Sequence, residues 1–181
     1  DGAAAIPAMM KKASADGMKA IALTDHGNMF GAFQFVSEAN KYNVKPIVGC
    51  EFYLVQDRHQ KTFSKDQKDV RFHQLLLAKD QDGYKNLSKL CSLSYIEGLY
   101  SKWPRIDREL LKQYHKGLIA TPCCIGAEVP QAILFKSEAK AEDIFKFWLD
   151  IFGEDYYIEL QRHGLENIDN TGKSQEDVNQ V

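Results

Sequence analysis

Thr24-Asp25-His26-Gly27 sets a carboxylate and an imidazole side by side, directly after the short apolar run Ala20-Ile21-Ala22-Leu23. Glu51 interrupts a second apolar run, His73 opens a third, Cys123-Cys124 follow a fourth, and His163 follows a fifth. Imidazole, carboxylate and thiolate are the side chains that bind zinc-like or manganese-like cations. A site of this kind takes one ligand from each of several strands, and sites in barrels and α/β sheets form where strands end and loops begin. Each residue also has a plainer reading. His26 alone could cap a helix beginning near Asn28. Glu51, a carboxylate inside a strand, needs a partner and could find it in a lysine or arginine. His73 alone reads as a partly exposed edge residue. Cys50 and Cys91 fit as small apolar core residues, and His59 and His115 as surface residues. Cys123-Cys124, between Pro122 and Gly126, is harder to absorb into a core.

The elements that must position these residues alternate. Ile6 to Ala15 reads as a helix, with Pro7 early and Gly17 after its end. Ala20 to Leu23 is a strand, and Met29 to Tyr42 a helix with Phe30, Phe33, Phe35 and Val36 on a broad apolar face. Lys45 to Val55 is a strand. The lysine-rich segment from Gln56 to Val70 has no periodicity and reads as a mobile, solvated loop or hairpin. Phe72 to Ala78 is a strand, Tyr84 to Tyr95 a helix, and Ile106 to Glu109 the start of a short one. Gly117 to Ala120 is a strand, and Ala127 to Phe152 two helices broken near Lys136-Ser137. Tyr156 to Leu160 is a strand. Ser174 with Asp177 three residues on caps a final helix. This alternation predicts an α/β fold with a mainly parallel sheet, and an incomplete barrel rather than an open doubly wound sheet. His73 precedes its apolar run where the other candidates follow theirs, so that strand begins earlier, bends, or runs against the others. No GxGxxG follows a strand, and no Walker pattern occurs.

The 181 residues suit one domain, 1–181, or most of one. At 44% apolar and 27% charged the composition is that of a globular protein, and no apolar run is long enough to span a membrane. Lys and Arg number 23 against 25 Asp and Glu, so nucleic acid, if bound, is met at a compact site or as part of something larger. Four cysteines without CxxC spacing, and no secretory or lipidation signal, predict a reduced, cytoplasmic setting. The start at Asp1-Gly2 and the helix-like end suggest a fragment of a longer protein.

Several segments together resemble one family. They are Asp1-Gly2, Ile21-Ala22-Leu23-Thr24-Asp25-His26-Gly27-Asn28, Gly31-Ala32, Lys45-Pro46-Ile47-Val48-Gly49-Cys50-Glu51, and His73 to Lys79, followed by Gly83 to Leu87, Pro104 to Asp107, Gly117 to Ala120, and Gly126-Ala127-Glu128. The chain is similar to the PHP (polymerase and histidinol phosphatase) domain, in the branch carried N-terminally by bacterial replicative DNA polymerase III alpha subunits. TDHG and GCE are common to PHP proteins; the segments from Gly83 to Asp107 and from Gly117 to Glu128 point to the polymerase branch.

The resemblance implies a distorted (βα)7 barrel of the PHP type, incomplete here, and a site for up to three divalent metal ions (Zn, Mn or Mg). It assigns ligand positions to Asp1, His26, Glu51, His73 and Cys124. Asp25 is implied as the orienter of His26, Glu51 as a carboxylate that can bridge two ions, and His163 as a residue at the site's rim. The family's opening His-x-His motif and closing Asp-x-His motif have no counterpart in the chain. The implied parent is a DNA-directed DNA polymerase, a nucleotidyltransferase that meets DNA and other replisome subunits and no membrane; oligomeric state stays open. For the domain itself, 3′-5′ exonuclease proofreading or pyrophosphate hydrolysis is implied, with Glu51, His26 and Asp25 catalytic. The alternative is a catalytically silent scaffold that docks a proofreading subunit. A stand-alone phosphatase is disfavoured by the polymerase-like segments.

Overall fold

A computed structural model describes residues 3–181. Helix α1 (Ile6–Ala15) carries a proline in its first turn, where a missing N–H removes no helical bond. Strand β1 (Ala20–Leu23) leads through the Thr24–Gly27 motif to α2 (Ala32–Tyr42). The helix starts three residues later than its apolar pattern predicts. Asn28 ties off a turn first: its side chain donates to the His26 carbonyl and accepts from Phe30 N–H. Strands β2 (Lys45–Leu54) and β3 (Phe72–Ala78) follow, then α3 (Gln81–Ile96), the two-residue β4 (Arg105–Ile106), α4 (Arg108–Tyr114) and β5 (Leu118–Thr121). The chain continues through α5 (Glu128–Phe135), α6 (Glu138–Phe152) and α7 (Gln175–Gln180). Ser137 caps α6, which explains the break at Lys136-Ser137. Ser174 and Asp177 form a reciprocal capping box at α7. Ile106, predicted as helical, instead pairs in β4, and Asp107 caps the helix behind it.

Among the described residues the sheet is mixed and does not close. Its order is β1-β2-β3-β5, with β4 on β2. β1 and β4 run parallel to β2, and they succeed one another along the same edge of it. β3 is antiparallel to both β2 and β5. This corrects the expectation of a mainly parallel sheet, and it accounts for His73: a strand running against the others brings its first residues to the end where the others finish.

Along β2 the faces alternate. Cys50, Phe52 and Leu54 are buried, while Glu51 and Tyr53 take the other face. The main core joins that buried face to α3, α4, α5 and α6 through Leu76, Leu87, Leu90, Ile106, Leu111 and Trp148. A smaller core of Met10, Ala13, Phe35, Ala39 and Val44 holds α1 and α2. The predicted α2 face splits. Phe35 is in that core, whereas Phe30 and Phe33 are 84% and 88% exposed. The Tyr156 to Leu160 strand also fails to form. Tyr156 makes one bridge to Ala120 and packs on Trp148, and the residues after it have no ladder.

Segment 56–70 is irregular as predicted, yet it is pinned. Buried Arg58 bonds Asp107, Glu97 and Glu109. Arg105 reaches Asp69 and the carbonyls of Arg58, Gln60 and Gly98.

Candidate metal centre

The site is built on β2. Hydrogen bonding continues past the end of β1: Glu51 N–H donates to Asp25 O at 3.0 Å, and Gly27 N–H donates to Glu51 O at 2.8 Å. His26 is thereby clamped opposite Glu51. Gly27 has φ +65°, and a Cβ there would come within 2.7 Å of Pro104, so a side chain at this position would push the motif off the strand. Across the sheet, His73 stands opposite Tyr53, diagonal to Glu51. Cys124 comes from the turn after β5. Cys123 takes a left-handed conformation there, Cys123 N–H bonds Thr121 Oγ1, and Gly126 N–H points at Cys124 Sγ.

One carboxylate oxygen of Glu51, one ring nitrogen of His73 and the sulfur of Cys124 all lie within 4.8 Å of one another. His73 Nδ1 is 2.8 Å from Glu51 Oε1 and 3.3 Å from Cys124 Sγ, and His26 Nδ1 is 3.3 Å from the same Glu51 oxygen. The approach to Oε1 is short but off-line. Among the described residues, that buried atom receives no properly directed hydrogen bond.

Burial works against the Glu51 charge, but His73 and His26 outweigh it and hold the carboxyl below its usual range. Cys123 and His73 hold Cys124 as a thiolate, its pKa brought down to about 4 against the cost of burial. The same proton is pushed onto its neighbour: bonding to Cys124 and burial raise the Cys123 thiol. Cys124 and Glu51 raise His73 to about 10.

These residues fit a divalent cation. The set offers nitrogen, sulfur and oxygen donors, two of them already anionic, aimed at a common space. A buried carboxylate oxygen without a directed partner is the kind of atom that a cation satisfies.

Four of the predicted ligand residues are thus brought together: His26, Glu51, His73 and Cys124. Asp1 lies outside the described residues. Asp25, expected to orient His26, has its Oδ2 accepting from Gly31 N–H at 3.2 Å, at the start of α2. His163 is exposed, and its backbone N–H donates to Gln175. Glu159 was not singled out by the sequence. It bonds Thr121 and Gln161 and lines a cavity of about 600 Å³ shared with Cys123 and Cys124. Its place in an alternating Tyr-Ile-Glu-Leu stretch disguised it as the outward residue of a strand.

The fold and this convergence define a PHP-type domain, and comparison with known proteins agrees. The PHP domain family matches residues 1–163, and the chain belongs to it. It is 46% identical over 172 residues to the DNA polymerase III subunit alpha of Borreliella burgdorferi, covering 93% of this chain and 15% of that protein. It is 44% identical to the subunit of the same name from Thermus aquaticus, covering 100% of this chain and 14% of that protein. For Deinococcus radiodurans the identity is 43%, over 91% of this chain and 13% of that protein. The chain therefore spans about a seventh of the length of these relatives.

Proposed function

We propose that this chain is the PHP module of a replicative DNA-directed DNA polymerase, working in the cytoplasm within a replisome, and that its metal centre hydrolyses phosphodiesters at a DNA 3′ end. The observation that carries this reading is the buried Glu51 oxygen, close to two imidazoles and a thiolate yet, among the described residues, without a directed hydrogen bond. Divalent cations, if held there, would supply an activated water and neutralise charge on the phosphate. Glu51, His73 and Cys124 would hold them, with His26 at the more exposed side and Asp1 as the fifth ligand. The Cys124 thiolate favours zinc or a similarly soft ion at its position. Asp25 positions His26 indirectly by bracing the motif against α2. Chain elongation by the parent polymerase resides outside this segment.

The test is degradation of a mispaired primer end by the full-length protein with Zn²⁺ or Mn²⁺, beside the Glu51→Ala variant. Loss of degradation in the variant supports the reading; equal degradation by both sinks it. Metal that raises the melting temperature of a protein with no nuclease activity would instead favour the scaffold alternative.

A further inference from the structure

The candidate metal centre continues on one side into a wall of rings and cations. Tyr53 follows Glu51 by two residues in β2 and so shares its face. Its ring stands edge-on to His73, 5.8 Å between centres. Trp103 comes next, edge-on to Tyr53 at 4.8 Å. The Arg71 guanidinium lies 4.6 Å from the centre of the Trp103 ring, and the Lys102 ammonium 5.0 Å. Contact is unbroken from an imidazole of the site to two positive charges. Asp69 balances only part of that charge, because its carboxylate is shared between Arg71 and Arg105. Lys102 is exposed, its ammonium against the Trp103 ring. A positive surplus thus gathers at one rim of a chain whose net charge is −2.

A nucleic-acid strand presents the matching chemistry: base faces for rings, and phosphates for Arg71 and Lys102. We infer that Tyr53, Trp103, Arg71 and Lys102 form a subsite that grips the terminal nucleotides of single-stranded DNA and presents the adjoining phosphodiester to Glu51, His73 and Cys124. The inference rests on the hydrolytic reading of the site and names where its substrate specificity arises.

Two measurements on the full-length protein test it separately from hydrolysis. In the first, an oligodeoxynucleotide with 5-iododeoxyuridine at its 3′ end is photocrosslinked and the adduct mapped by peptide mass spectrometry. Adducts on Tyr53 or Trp103 are expected, and the Arg71→Gln/Lys102→Gln double variant, which keeps both rings, should reduce them about five-fold or more. In the second, KM for a single-stranded oligonucleotide should rise about ten-fold in Trp103→Ala, with a smaller change in kcat, as lost stacking predicts. No adduct on either ring, or adducts undiminished in the double variant, overturns the subsite even if DNA is degraded. Adducts without any hydrolysis leave the subsite standing and remove the hydrolytic reading.

Discussion

Two clusters of charge lie on either side of the end of β2, and they are built on opposite plans. At the first, Arg58 and Arg105 are buried, Arg105 only 1% exposed. Nearly every donor is answered: Asp107 takes Arg58 Nη1 at 2.9 and 2.8 Å, Glu97 takes its Nε at 2.7 Å, and three carbonyls with Asp69 surround Arg105. At the second, Glu51, His73 and Cys124 crowd together, yet Glu51 Oε1 accepts no directed hydrogen bond from the described residues. Buried charge that is fully partnered joins distant segments, here the 56–70 loop to α3 and α4. Buried charge left partly open keeps its capacity for a ligand. Residue types alone do not separate the two; hydrogen-bond completeness does.

The sharpest break in that contrast comes from the completed cluster. Arg105→Ala strands three carbonyls and leaves Asp69 with Arg71 alone, and should cost about 3–5 kcal/mol in urea unfolding, with no recovery on adding metal. Glu51→Gln should behave differently. Calorimetric metal affinity should fall on the order of 100-fold, as loss of a ligand must at least match loss of its support. Stability of the chelator-treated protein should change by no more than about 1 kcal/mol. If Glu51→Gln unfolds the protein as Arg105→Ala does, the two clusters are alike and the contrast collapses. Asp25→Ala removes the bond to Gly31 and should cost about 1 kcal/mol of thermal stability, the usual worth of a helix-start acceptor. The smallest signal is chemical. With Cys124 held near 4 and His73 near 10, the thiolate–imidazolium pair stays charged between those limits. In chelator-treated protein, iodoacetamide labelling of Cys124 should stay nearly flat from about pH 8 to 5, where an ordinary thiol slows about ten-fold per unit. A steep fall would mean that the thiol is not held as thiolate.

Much of the scaffold was legible because local signals agreed. Pro7 and Gly17 bracket α1, the apolar run marks β2, and Ser137 and Ser174 announce α6 and α7. Strand direction was raised only by the position of His73, as one of three alternatives, since an apolar run such as Leu75-Leu76-Leu77 reads the same for parallel and antiparallel neighbours. The stretch from Tyr156 to Leu160 alternates like a strand, yet ladder formation needs a partner on each paired edge, and only Tyr156 finds one. Phe30 and Phe33 fit a helical apolar pattern, but the turn tied by Asn28 and the small core beneath Phe35 leave them outside. Lysines made segment 56–70 look solvated. Its anchors are ion pairs to residues about forty to fifty positions away, which no local pattern shows. In the site, nearness to strand ends raised His26, Glu51, His73 and Cys124 among other candidates, and the family resemblance assigned them as ligands; the structure adds their convergence. The bond that Asp25 accepts from Gly31 was not foreseen, because it depends on how α2 docks.

Strand β2 writes core and chemistry in one alternating string, with Cys50, Phe52 and Leu54 inward and Glu51 and Tyr53 outward. A codon gained or lost just before Glu51 would invert every later side chain of the strand, driving an acid into oil and a phenyl ring towards the ligand. The segment can therefore drift in composition but not in count, and a single frame-preserving indel there would erase folding and function together.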